Sequence, residues 1–349
     1  MATYIDLSVH IENNEHTDHP GGSPKVNYLT HDQTAGGLSH FFPGLKPEEL
    51  PDGEGWAVES INLSTHNGTH MDAPWHFHST TNYGKERAPT IDETPLEYCF
   101  KPGVKLDFRH FEDGYLVTAD DIEKELTRIE HELEPLDIVV VNTRAGEVFG
   151  EPGYVDAGCG MGREATMYLT ERGVRVVGID GWSWDAPFKH TAKKWAKNRD
   201  PSMIWEGHKA GREIPYWQME KLHNLESLPD HGFMISCFPV KIKNASAGWT
   251  RCVAIIERLS IDDHLIEKSL IFYFRAYVQE LAQFVISICV GVNSPGQITL
   301  NSTPFQQAIT QCFWINSQIQ LGALRRYTSK IDHKPRLNTE HPRGGMGRQ

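Results

Sequence analysis

Short apolar runs alternate with helical spacings along the first 256 residues of the chain. Residues 4–9 read as a first strand, and residues 58–65 as a second. Between them, residues 12–54 are rich in Pro, Gly and His and read as loop. Residues 104–107 form a short alternating run after a Pro-Gly turn. The clearest helix spans residues 118–133. Ile122, Leu126, Ile129 and Leu133 recur on one face, Thr118 can cap it, Asp120 and Asp121 sit in its first turn, and Pro135 stops it. Residues 137–143 then read as a buried strand, 164–172 as a second helix ended by Gly173, and 174–179 as the next strand. Residues 233–242 and 250–256 look like a late strand pair with its turn at 244–248. This alternation is compatible with an α/β domain.

The pattern changes near residue 257. From Leu281 to Leu324 there is no charged residue, and 325–349 is basic and rich in Pro, Gly and Arg. An apolar run at 270–292 is broken by Arg275, Gln279, Glu280 and Gln283, so a membrane span is not expected. Residues 257–349 therefore read as a poorly ordered tail, a helical appendage, or the product of a misread gene with no evolved fold. The net charge of -12 argues against a nucleic-acid partner. Six scattered cysteines without a CxxC pair argue against a disulfide framework or a cysteine-rich zinc site. With no basic and apolar leader at the N-terminus, a cytoplasmic location is expected. Gly158–Gly162 lacks the spacing of a dinucleotide loop and reads as the start of a helix, and there is no GxSxG elbow.

The chemistry concentrates in one segment. His66, His70, Asp72, His76 and His78 lie within thirteen positions. Imidazole and carboxylate are common ligands for zinc or manganese. Gly68 lets the backbone turn, and Pro74 stiffens the exit. A His-rich surface loop is the alternative that spacing alone leaves open, since the chain has 18 His.

The run Thr-His-Asn-Gly-Thr-His-Met-Asp-Ala-Pro-Trp-His-Phe at 65–77 closely resembles the hallmark of the metal-dependent cyclase-like hydrolases, which include bacterial-type kynurenine formamidases and isatin hydrolases. The opening Ile5–Asp6–Leu7–Ser8 is similar to that family's start. Further on, His208 is followed twelve residues later by Glu220 and then by Lys221–Leu222–His223–Asn224–Leu225, which resembles the family's second element. The resemblance covers about residues 1–256. It implies an α/β fold with a mixed, barrel-like sheet flanked by helices. It implies His66, His70, Asp72, His208 and Glu220 as ligands to one or two Zn2+ or Mn2+ ions, with Asp72 bridging, and His76 as general acid/base. It also implies a small-molecule substrate and a homo-oligomer.

The stretch Asp180–Gly181–Trp182–Ser183–Trp184–Asp185 departs from the formamidase pattern by two added Trp, and a long segment carrying Trp205 precedes His208. Trp182 and Trp184, with Trp205 and Trp217 nearby, are candidates to line a pocket for a ring-bearing substrate, with core packing as the alternative for each. The expected activity is hydrolysis of a small arylformamide-like or cyclic amide. A metal-dependent cyclase or lyase, and a non-catalytic ligand-binding relative, are the competing expectations.

Overall fold

The computed structural model describes residues 2–257. The remaining segment, with its uncharged stretch and the apolar run at 270–292, lies outside the described residues. So do the expectations made for it.

The described chain builds a nine-stranded mixed sheet. In spatial order its strands are Ala2–Asp6, Val253–Glu257, His231–Ser236, Phe100–Asp107, Ile138–Asn142, Val176–Ile179, Trp217–Glu220, His70–Asp72 and Ala247–Trp249. The four from Phe100–Asp107 to Trp217–Glu220 run parallel, and antiparallel strands flank them on both sides. The sheet curls. In a flat sheet the first and seventh strands of that order would lie roughly 29 Å apart, at about 4.8 Å per step. Yet Ser8, two residues past the first strand, pairs with Leu222, two residues past the seventh. The His223 amide also donates to the Leu7 carbonyl at 2.9 Å. The fold is α/β with a half-barrel sheet, as the resemblance implies.

Both faces of the sheet are buried, which explains the unbroken apolar run from Ile138 to Val141 in the strand Ile138–Asn142. Val139, Val141, Val177 and Ile179 join one core cluster with Ile122 and Leu126 of the helix Ala119–Arg128 and Ala165 and Leu169 of the helix Arg163–Glu171. Ile138, Val140, Val176, Met71 and Met219 join a second cluster on the opposite face.

The helix Ala119–Arg128 starts as its sequence predicts. Thr118 Oγ1 accepts from the Asp121 amide, and the Asp121 carboxylate accepts from the Thr118 amide at 3.0 Å. It stops one turn earlier than its periodicity suggests, because Glu130 takes φ 53°. Gly162 caps Arg163–Glu171, so the glycine cluster before it does begin a helix. A Cβ on Gly160 would lie 1.9 Å from the Ala186 amide nitrogen, so only glycine fits that approach.

Two expectations need correction. The 12–54 segment is not all loop: it holds the strand Lys25–Leu29 and the helix His31–Ser39. That strand pairs with Val58–Asn62, whose residues are all exposed, so no inward face imprints an alternating pattern. The strands His231–Ser236 and Val253–Glu257 do pair, but the chain between them is not a tight turn. It supplies Ala247–Trp249, the edge strand beside His70–Asp72. Among the described residues no helix is long and apolar enough to cross a membrane. Cys99, Cys159, Cys237 and Cys252 are free and buried thiols.

Candidate metal centre

The strand His70–Asp72 is only three residues long, but it is held on both sides. Asp72 lies opposite Gln218 and Ala247, and His70 lies opposite Glu220 and Trp249. Side chains alternate along a strand, so His70 and Asp72 share one face while Met71 enters the second core cluster. By the same rule Gln218 and Glu220 come up beside them. The turn before the strand needs Gly68 at φ 63°. Thr69 fixes it by donating to the Lys221 carbonyl at 2.6 Å. Pro74 opens the short helix Pro74–Phe77, which returns His76 over Asp72.

Five ligand-type side chains converge here. Asp72 Oδ1 lies 2.9 Å from His66 Nδ1 and 3.2 Å from His70 Nε2. Asp72 Oδ2 lies 3.8 Å from His76 Nε2, and Glu220 Oε2 lies 3.6 Å from His70 Nε2. Two overlapping triads result, His66/Asp72/His76 and His70/Asp72/Glu220, with Asp72 common to both. His70 Nε2 and Asp72 Oδ1 are buried and make no hydrogen bond. Two unsatisfied buried polar atoms facing one point are costly unless something fills it. Bonds of about 2.0–2.2 Å to a tetrahedral ion would set its ligand atoms roughly 3.3–3.6 Å apart, close to the separations seen. The imidazole and carboxylate set suits zinc or manganese. The residues present therefore fit a divalent cation.

His208 approaches from the short helix Glu206–Ala210. Its Nε2 is 3.6 Å from Glu220 Oε1, and its Nδ1 is 2.5 Å from Asp185 Oδ2. Asp185 also accepts from the Gly207 and His208 amides at 2.8 and 3.0 Å, so it fixes the imidazole's orientation. Glu220 Oε1 accepts from the Trp184 amide at 3.0 Å. Ser246 Oγ lies 3.0 Å from His66 Nε2, and the Gly68 carbonyl 2.9 Å from His70 Nδ1.

The electrostatics follow from burial and neighbours. Burial raises the Glu220 carboxyl, and the Asp72 charge raises it further. Burial also works to raise Asp72, but the surrounding imidazoles His70, His76 and His66 hold it well below the usual range. Burial lowers His66 and His208, yet Asp72 and Asp185 outweigh it and both end raised. His76 is pushed down to about 3, chiefly by burial, with Asp72 opposing and His208, His66 and His70 adding. It is a neutral imidazole at pH 7.

The expected ligands thus come together from positions far apart in sequence. The two Trp candidates fare differently. Trp184 is fully buried in the first core cluster, and its indole donates to Thr166 Oγ1 at 3.0 Å, so it lines no pocket. What it offers the site is its backbone amide, to Glu220. Trp182 is half-buried and donates to Asp18 Oδ1 at 3.1 Å. His78 faces away from the cluster, with Nδ1 3.1 Å from Thr80 Oγ1.

Three residues were missed. Gln218 Nε2 lies 2.7 Å from His208 Nε2, 2.8 Å from Glu220 Oε1 and 3.4 Å from Asp72 Oδ2. Its two-residue spacing from Glu220 was the available clue. Asp18 and Lys221 form a buried ion pair behind the His66 turn, where Lys221 Nζ also donates to the His66 carbonyl at 3.0 Å.

The Cyclase family model matches residues 5–186, more than half of the chain. This chain belongs to the Cyclase family. It also resembles solved structures of isatin hydrolases. One, bound to the product analogue thioisatinate, shares 19% identity at a TM-score of 0.56, over 74% of this chain and 93% of that one. Isatin hydrolase A from Ralstonia solanacearum shares 21% identity at a TM-score of 0.56, over 73% and 92%. A potential metal-dependent hydrolase with cyclase activity shares 18% at a TM-score of 0.51, over 74% and 100%. At such identities the likeness establishes the shared fold. No curated protein matches the sequence.

Proposed function

We propose that this chain is a metal-dependent hydrolase of a small amide, with His66, His70, Asp72, His208 and Glu220 as the candidate ligands and His76 as the proton-transfer group. One observation carries the reading: His70 Nε2 and Asp72 Oδ1 are buried, make no hydrogen bond and face each other beside a second imidazole, that of His66. When bound there, a zinc or manganese ion supplies Lewis acidity, polarising a carbonyl oxygen and lowering the pKa of water towards about 7.

The chain's own residues do the rest. Neutral His76, with its Nε2 held near Asp72, accepts a proton from the water that attacks the carbonyl carbon. A C–O bond forms and the C–N bond breaks. His76 then returns its proton to the departing nitrogen. Its side chain is 24% exposed, so it can meet a substrate that the buried residues beneath it cannot. Asp185 holds His208 in place, and Gln218 and the Trp184 amide hold Glu220. The Cyclase family and the isatin hydrolase likeness support amide hydrolysis, with an arylformamide or a cyclic amide as the substrate class.

His76→Ala tests this. The variant should retain its metal on elemental analysis and lose about 10²–10⁴-fold in turnover of formanilide or isatin. Loss of the metal together with activity would make His76 a ligand instead. Turnover without oxygen uptake from labelled water would replace hydrolysis by cyclisation or elimination.

A further inference from the structure

Trp205 lies beyond the residues that the family model matches, and the hydrolysis outlined above gives it no task. It precedes Glu206–Ala210 with φ 61° and ψ 38°, a left-handed conformation that is strained for a bulky residue. Strain of this kind persists where the surroundings over-determine it, and it clusters at functional sites. The surroundings here are the metal centre. The indole stacks on His208 with ring centroids 4.2 Å apart and planes 14° apart. It also stands edge-on to His76 at 5.1 Å.

Its indole nitrogen supplies a second, independent observation. Trp205 Nε1 is buried and has no hydrogen-bond partner among the described residues. An indole N–H can only donate, and buried ones normally find an acceptor. Trp182, Trp184 and Trp249 do so, on Asp18, Thr166 and the Ser64 carbonyl. Trp217 Nε1 is also unpaired, but that ring packs in the core cluster with Met71 and Met219, on the other face of the sheet. Trp205 is the unpaired indole that touches the imidazoles of the site.

We propose that Trp205 contacts the substrate, its ring covering His76 and His208 and its N–H donating to an oxygen of the bound amide or of its acid product. This rests on the hydrolase reading and narrows it. The site takes a small amide carrying a free carbonyl or carboxylate oxygen on the side that meets the indole. A hydrocarbon flank there would leave the N–H buried and unpaired, which is a strong basis for rejection.

The test uses the zinc-loaded full chain, with calorimetric binding of thioisatinate and steady-state turnover of isatin and formanilide. Trp205→Phe keeps an aromatic ring and deletes the donor. It should weaken thioisatinate about tenfold and raise the KM for isatin by a similar factor, with kcat changed far less. Trp205→Gly relieves the left-handed strain and removes the ring. It should fold at least as stably as Trp205→Phe and bind more weakly still. Wild-type affinity in either folded variant overturns the proposal and leaves the hydrolase reading standing. Should the wild type neither bind thioisatinate nor turn over isatin or formanilide, the hydrolase reading falls and takes this inference with it.

Discussion

Asp180 shows how much one buried carboxyl can dictate. It ends the strand Val176–Ile179, fully enclosed, and accepts from the Thr143 amide and hydroxyl at 2.8 and 2.6 Å. Burial pushes its carboxyl up to about 8. A raised carboxyl favours the protonated native state. Its contribution to stability is therefore fully present below the unfolded value near 3.8 and is lost as pH climbs towards 8. Asp180→Asn cannot ionise. Its stability relative to wild type should rise by roughly 2–4 kcal/mol between pH 5 and pH 8 in urea unfolding, and a difference that stays flat across that range refutes the assignment. At this scale the sequence was partly legible. His66, His70 and Asp72 stood out because they sit within seven positions and carry chemistry that few other residue types share. His208 and Glu220 were readable through family resemblance alone, since nothing in their local sequence says that they face Asp72. For Trp184 the core-packing alternative is the one the structure shows, and composition cannot report which way an indole points. Gln218 drew no functional reading because its role exists only in relation to His208, and Trp205 was readable only as one of several aromatics near the site.

Between elements, the Asp18–Lys221 pair fastens an irregular N-terminal stretch to the back of the metal centre. Lys221 follows the strand Trp217–Glu220 at φ 58° and is 1% exposed. Asp18 accepts from Lys221, from the Trp182 indole and from Asn67, the neighbour of His66. Removing one partner strands a buried charge, so Lys221→Met or Asp18→Asn should each cost about 3–5 kcal/mol. The double variant should lose less than the sum, by at least about 1 kcal/mol in a denaturant double-mutant cycle. Additive losses would mean that the two groups do not interact. Elements were legible where burial imposes a period. Ala119–Arg128 and Ile138–Asn142 announced themselves, and Val58–Asn62 was read as a strand despite its exposure, whereas Lys25–Leu29, exposed almost throughout, was read as loop. Trp217–Glu220 is buried on both faces in four residues, too short a run to separate from loop.

Across the molecule, the candidate ligands span positions 66 to 220, so a bound ion would tie the metal strand to the last of the parallel strands and the short helix before it. Ligand that binds only the folded chain stabilises it by about 4 kcal/mol at a thousandfold excess over Kd. For a domain of this size that is roughly 10 °C in unfolding midpoint. Chelator-treated protein should regain that increment on adding zinc or manganese, and a His66→Ala/His70→Ala variant should not respond. An unchanged midpoint in wild type would count against the metal centre. The α/β class was legible from the alternation of elements, but the curl was not. It depends on Ser8 meeting Leu222, a contact between positions that carry no common pattern.

That closing of the sheet bears on how the chain matures during synthesis. Among the described residues Ala2–Asp6 has one strand partner, Val253–Glu257, with Tyr4 opposite Ile255. Residues at one end of the described domain must wait during synthesis for those at the other end before they can pair. Until then two strand edges stay open, that of Ala2–Asp6 and that of His231–Ser236, and both are exposed to unintended partners. A nascent chain arrested before residue 253 should therefore remain protease-sensitive at its N-terminus, and become resistant once the pairing strand has emerged.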